Sequence, residues 1–212
     1  MKITITYDNE AAVEEMETGW GFSCMMEAHG RRILFDVGPD AAALLANMEG
    51  LGLDPKLIDE VFISHAHQDH MGALADFLRA YPVDCYLPTS CKPPRGAPGL
   101  IEVTDPLRMH EGIFSTGELG GVEQSLLVET AKGLAVIVGC SHPGVGAILE
   151  AAFRHGVPRA LVGGLHGFRD FDLLDDLELV CPTHCTQHKS EIENLYPAKC
   201  VQGGVGAVIE IR

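Results

Sequence analysis

The sequence predicts an α/β fold built in layers. Short β-branched or apolar runs recur along the chain, each bounded by glycine, proline or charge. Helical segments stand between these runs in both halves, as layered α/β architectures require. The run KGLAVIVG, residues 132–139, is hydrophobic nearly throughout, as expected for a strand covered on both faces.

In chain order, the expected strands are Lys2–Tyr7, Phe22–Glu27, Arg32–Asp36, Glu60–Ser64, Val83–Leu87, Gln124–Thr130, Leu134–Gly139, Arg159–Val162 and Ala207–Ile211. The expected helices are Asp40–Met48, Gly72–Ala80, Pro143–His155 and Lys189–Leu195. The third has Pro143 at its first position and Gly156 just past its end, a start and stop pair. The segment PTSCKPPRGAPG, residues 88–99, is rich in breakers and reads as a surface loop. No composition shift divides the chain and no short repeat recurs, so residues 1–212 are expected to form a single domain.

At 212 residues and 22.8 kDa, with 46% hydrophobic residues, the chain is long and apolar enough for a sizeable core. No apolar run approaches the roughly 20 residues that span a bilayer. The N-terminus, MKITITYDNE, turns polar after six residues and lacks a signal-peptide apolar core. A cytoplasmic location and no membrane partner are therefore expected. The formal charge of −15 repels nucleic-acid phosphates, so a small-molecule substrate is expected rather than a nucleic acid. Seven scattered cysteines without a secretion signal argue against a disulfide framework, and most are expected to be small buried hydrophobes. Oligomeric state is not legible.

Chemistry enters at EVFISHAHQDHMGAL, residues 60–74. The run Val61-Phe62-Ile63 ends in Ser64, and His65, His67, Asp69 and His70 follow within six positions. A loop after a strand sets side chains at the open edge of a sheet, where α/β sites lie. Neutral imidazole is the commonest metal ligand and carboxylate oxygen its natural companion. The pattern of strand, then histidine, recurs in VIVGCSHPG with His142, in LVGGLHGF with His166 and in LVCPTHCTQHK with His184. Four such stations are expected to converge on one sheet edge. His142 and His184 read as ligands; His166 reads as a ligand or as a hydrogen-bond donor behind one. Gly163 and Gly164 would let the backbone pass close to the site.

The segment SHAHQDH matches the HxHxDH signature of the metallo-β-lactamase superfamily, and GCSH and THCT are similar to its later metal-binding stations. More closely, the chain resembles a subfamily related to dihydropterin ribofuranosylaminobenzene-5′-phosphate synthases. That resemblance rests on ILFDVG (33–38), IDEVFISHAHQDHMGAL (58–74), GIFSTGE (112–118), QSLLVETAKGLAVIVGCSHPG (124–144), GGLHG (163–167) and THCT (183–186). It implies an αββα sandwich of two mixed sheets flanked by helices, with a binuclear site at one edge. His65, His67 and His142 would hold one ion, and Asp69, His70 and His184 the other. Many relatives carry a bridging aspartate at the fourth station; here His166 stands there, and the nearby Asp170 and Asp172 fit the motif less well. The segment between Leu87 and Gly112 is short, which implies an open pocket or one completed by another subunit.

Two divalent ions, zinc first and iron or manganese next, would lower the pKa of a bridging water and clamp an oxyanion. Asp69 would ligate and orient the nucleophile; His166 would ligate or support a developing oxyanion. The expected activity is therefore a metal-dependent hydrolase acting on a small phosphorylated or heterocyclic substrate. The alternatives are a dihydropterin-type synthase, an iron redox enzyme on the same ligands, and a metal-holding sensor without turnover. Asp36 is a candidate to fix a ligand imidazole, or else a strand-end turn residue. Cys140 and Cys185 adjoin ligands; as thiolates they would favour zinc, but buried thiols packed beneath the site are the expectation. Trp20 is expected to anchor its loop, with stacking on a flat substrate as the alternative. His29, His110, His155 and His188 lack motif context and are expected at the surface, His155 near a helix C-terminus.

Overall fold

The computed structural model describes residues 1–94 and 99–212. Its first sheet comprises β1 (Lys2–Tyr7), β2 (Ser23–Ala28), β3 (Arg31–Phe35), β4 (Glu60–Phe62), β5 (Asp84–Pro88), β6 (Leu100–Val103) and β13 (Val208–Glu210). The second comprises β7 (Leu107–His110), β8 (Ile113–Ser115), β9 (Leu126–Thr130), β10 (Gly133–Val138), β11 (Pro158–Gly164) and β12 (Leu179–Thr183). Their orders are β13-β1-β2-β3-β4-β5-β6 and β12-β11-β10-β9-β8-β7. Both are mixed: β3 through β6 run parallel beside antiparallel β1–β3, and β10 through β12 run parallel beside antiparallel β7–β10.

Between the sheets lies a core that includes Ile3, Phe22, Phe35 and Phe62 from one side and Ile113, Leu126, Ile137 and Val162 from the other. Each large side chain there contributes about 1.5–3 kcal/mol by leaving water. The outer face of the first sheet packs on α1 (Ala41–Gly50) and α3 (Leu74–Ala80) through Leu44, Met48, Leu74 and Phe77. The outer face of the second packs on α4 (Val145–Phe153) and α5 (Lys189–Leu195) through Ile148, Leu149 and Ile192. The expected αββα sandwich is thus observed. No helix among the described residues is long and apolar enough to cross a membrane.

All nine expected strands occur, β1 with the expected ends and the other eight with shifted ends; β6, β7, β8 and β12 were not among them. β6, β7 and β12 are the terminal strands of their sheets, and all four are short, so pairing rather than composition defines them. β12 contains Pro182, which a terminal strand tolerates because its missing N–H costs no ladder bond on the open side. The helix expected over Gly72–Ala80 is two helices, α2 (Gln68–Met71) and α3. The Ala73 N–H leaves the helical ladder to bond Gly38 O at 3.1 Å, which separates them. Pro143 does not begin α4. Gly144, at φ 93°, caps it instead, and its N–H closes a turn onto Ser141 O. Of the loop expected over 88–99, residues 95–98 lie outside the described residues.

Four non-glycine residues with positive φ directly follow or closely follow strands at one edge: Asp36 (53°), Ser141 (60°), His166 (47°) and His184 (47°). Each costs on the order of 1–3 kcal/mol, and the inter-sheet core offsets it. Close packing of β10 against β11 demands glycine at the same edge. A Cβ on Gly163 would collide with Val138 O, and its φ is 130°. A Cβ on Gly164 would meet Gly139 O at 2.5 Å. Gly163→Ala is expected to lower stability by about 2–4 kcal/mol, from backbone strain plus overpacking. Urea unfolding within 1 kcal/mol of wild type would contradict that constraint.

Candidate metal centre

The four strand-end stations converge. β4 leads through Ser64 to His65 and into α2, whose first turn carries Asp69 and His70. β10 leads through Gly139 to Cys140 and His142; β11 leads to His166; β12 leads to His184. Ring centroids of His65 and His142 lie 4.9 Å apart, those of His67 and His142 4.8 Å, and those of His70 and His184 4.9 Å. Two groups of possible ligand atoms result, His65–Cys140–His142 and His70–Cys140–His184, each with all atoms within 4.8 Å of one another. His67 joins the first through its Nδ1, 3.0 Å from His65 Nε2. Asp69 joins the second, its Oδ2 3.2 Å from His184 Nε2 and 3.8 Å from His70 Nε2. His166 stands at the rim, exposed, with its ring 5.3 Å from that of His142. It belongs to neither close group. Asp170 and Asp172 are exposed on the turn around Phe171–Leu174.

Hydrogen bonds behind the rings fix which nitrogen faces inward. Ser64 N–H and Oγ–H both donate to Asp36, at 2.7 Å each, and His70 Nδ1 donates to Asp36 Oδ2 at 2.7 Å. Ser64 Oγ, having donated its proton, accepts from His65 Nδ1 at 2.9 Å. Asn9 is oriented by backbone groups: its Nδ2 donates to His184 O and its Oδ1 accepts from Gly21 N–H. Its Oδ1 must therefore also accept from His184 Nδ1, at 3.0 Å. In all three rings Nδ1 carries a proton and Nε2 turns to the centre.

The consequence is that the inward nitrogens of His65, His70 and His184 are acceptors. His70 Nε2 and His184 Nε2 approach to 3.2 Å, and His70 Nε2 and Cys140 Sγ to 3.2 Å. His142 Nε2 is buried with no hydrogen-bond partner. Lone pairs so close repel unless a cation lies among them. Burial first, and neighbouring imidazoles second, hold His65 and His70 well below the usual histidine range and lower His142 as well. Neutral imidazole is the form that binds metal. For Asp69, burial acts upward, but the neighbouring His184 and His70 rings outweigh it and hold the carboxyl well below its usual range. Ligand atoms of a tetrahedral zinc ion at 2.0–2.1 Å stand roughly 3.3–3.4 Å from one another. The 3.2 Å separation of His70 Nε2 and His184 Nε2 matches that spacing, so the residues present fit a metal centre.

Three positioning residues were not legible in the sequence. Glu123, fully buried, accepts N–H bonds from Gly139, Cys140 and Ser141 at 3.0–3.1 Å and from His142 at 2.9 Å. Burial pushes its carboxyl up to about 6, against the pull of those amides. Asp8 accepts from His184 N–H at 3.0 Å, and Asn9 fixes the same residue's ring. Asp8 and Asn9 follow β1 as Asp36 follows β3, and that repeated strand-end polar residue was the available signal. Of the two readings of Asp36, the ligand-fixing role fits its contacts. Asp36→Asn would place an N–H₂ or a single oxygen opposite three donors and disturb the His70 tautomer. It is expected to weaken binding of one ion by about 10–100-fold. Unchanged affinity in a metal titration would contradict that.

Trp20 is not a packed anchor. It is 62% exposed, and its ring lies 4.8 Å from that of His184. All seven cysteines are free and six are buried. Of the unassigned histidines only His29 is exposed. His110 is half-buried and bonded to the buried Glu60 at 2.6 Å, which corrects its assignment to the surface. His155 and His188 are also half-buried; His155 lies just past α4 against the Phe114 ring.

Residues 21–121 match the sequence model of the metallo-beta-lactamase superfamily, and they contain His65, His67, Asp69 and His70. That match spans just under half of the chain. The fold of this chain superposes on the crystal structure of Tm1679, a metal-dependent hydrolase of the beta-lactamase superfamily. The TM-score is 0.82 at 23% identity, covering 100% of this chain and 99% of the other. It also superposes on Zn(2+)-bound PqqB from Methylobacterium extorquens, with TM-score 0.64 at 12% identity and full coverage of both chains. Among characterised sequences it is similar to the 7,8-dihydropterin-6-methyl-4-(beta-D-ribofuranosyl)-aminobenzene-5'-phosphate synthase of Methanocaldococcus jannaschii. The two are 26% identical over 241 aligned positions, covering 82% of each chain.

Proposed function

We propose that the chain is a metal-dependent hydrolase with two zinc ions, acting on a small phosphorylated or heterocyclic substrate. The observation that carries this is the convergence of the unprotonated Nε2 atoms of His65, His70 and His184 with Asp69 and the unpartnered His142 Nε2. His65, His67 and His142 would hold one ion and Asp69, His70 and His184 the other. When bound, the ions supply Lewis acidity and a nucleophile available at neutral pH. Asp69, half-buried between the His184 ring and open solvent, would orient that nucleophile. His166, exposed beside His142, is placed to donate a hydrogen bond to the substrate rather than to ligate. Asp36 and Asn9 keep their imidazoles aimed, so little reorganisation is needed at the moment of reaction. The test is turnover by zinc-reconstituted protein on phosphomonoester, phosphodiester, thioester and lactam substrates. Hydrolysis of one class that is lost on chelation is expected; none on any class would overturn the proposal.

A second reading, a synthase on a dihydropterin substrate, is favoured by the named relative and by exposed Trp20 beside His184. Both readings use Trp20 as a flat platform. Trp20→Ala is expected to weaken binding of pterin, used as a probe, by about 3–10-fold, the range of an aromatic stacking contact. Calorimetric titration showing unchanged affinity at unchanged metal content would remove Trp20 from the site.

A further inference from the structure

We propose that Cys140 is a metal ligand, its thiolate shared between the two histidine groups. The inference rests on the binuclear reading above and adds a donor to it. Cys140 is the one residue common to both close groups. Its Sγ is 3.2 Å from His70 Nε2, and the side chain is 3% exposed. The neighbouring buried carboxylates are turned elsewhere: Asp36 to Ser64 and His70 Nδ1, Glu123 to the amides of residues 139–142. Asp69 reaches only the second group, so sulfur is the atom placed between the two.

Its position is built rather than incidental. The Cys140 N–H is held by Glu123 at 3.0 Å, and Gly164 packs so closely that a Cβ there would lie 3.3 Å from Cys140 Cα. Cys185 Sγ–H points at Cys140 O, 3.9 Å away, and does not enter either group. Cys24 and Cys181 lie in the inter-sheet core, and Cys85 and Cys91 lie in the core under α3; none of the four contacts an imidazole nitrogen. On binding, the thiol loses its proton to solvent and sulfur donates its lone pairs to the ions. Thiolate together with Asp69 then balances two of the four positive charges, and soft sulfur favours zinc over manganese.

X-ray absorption at the metal edge of zinc-loaded protein tests this, with elemental analysis on the same sample. Two ions per chain and a sulfur shell at about 2.3 Å are expected, with thiolate-to-cobalt charge-transfer absorption in the cobalt-loaded form. Cys140→Ser should lose both signals, and Cys185→Ser should keep both. Two ions with only nitrogen and oxygen neighbours would overturn the thiolate and leave the binuclear reading standing. Sulfur signals kept in Cys140→Ser would assign them to another cysteine and overturn the proposal. Fewer than two ions in wild type would overturn the binuclear reading and the shared position with it. Should Cys140→Ser fail to fold, the wild-type shell and its persistence in Cys185→Ser decide the matter.

Discussion

His70→Ala is expected to leave no more than one ion per chain and to lower turnover by about 10³-fold or more, the scale of losing a Lewis-acid centre. His70 touches the site on both sides of its ring. Its Nε2 lies 3.2 Å from both Cys140 Sγ and His184 Nε2, while its Nδ1 bonds Asp36 at 2.7 Å. The ring is fully buried, so alanine leaves a void that another protein ligand cannot fill. Asp36 keeps its bonds to Ser64 but loses one partner, which adds about 1–3 kcal/mol of destabilisation. Circular dichroism should show the fold retained. Two ions bound with turnover within tenfold of wild type would contradict the placement of His70 at the centre.

Asp69→Asn should retain the fold and lose about 10²–10³-fold in turnover, the usual cost of removing one preorganised charged group. The carboxylate faces His184 Nε2 at 3.2 Å and is only half-buried, so the amide fits its space. What disappears is negative charge: burial acts upward on the carboxyl, but the neighbouring His184 and His70 rings hold it well below its usual range. An amide oxygen is a weaker ligand, and its N–H₂ would point a donor where only acceptors now converge. Parallel measurement of metal content and turnover checks this. Near wild-type turnover with both ions bound would refute the role.

Much of the site was legible because ligands are written locally. HxHxDH places four groups in six residues, and each later station repeats an apolar run followed by histidine. The layers followed from the same runs. The residues that aim the ligands were harder to read, since their role depends on approach from distant sequence. Asp8 and Asn9 meet His184 across 175 residues or more, and Glu123 folds under residues 139–142 only because its loop pairs with His65. Cys140 looked like a packed thiol because five other cysteines are buried too; only the separation of both histidine groups sets it apart. Trp20 misled through composition: tryptophan is usually covered, and here it is exposed beside the site. β6, β7 and β8 are too short to announce themselves and exist through pairing with their neighbours.

The central claim is a centre for two ions, and metal stoichiometry tests it most directly. The protein is stripped with chelator, reconstituted with excess zinc, desalted, and measured by elemental analysis against quantitative amino-acid analysis. The two histidine groups, each completed by His67 or Asp69, predict about two ions per chain, because their donors exceed what one tetrahedral ion can use. One ion or none, in protein whose circular dichroism matches the folded state, would contradict it.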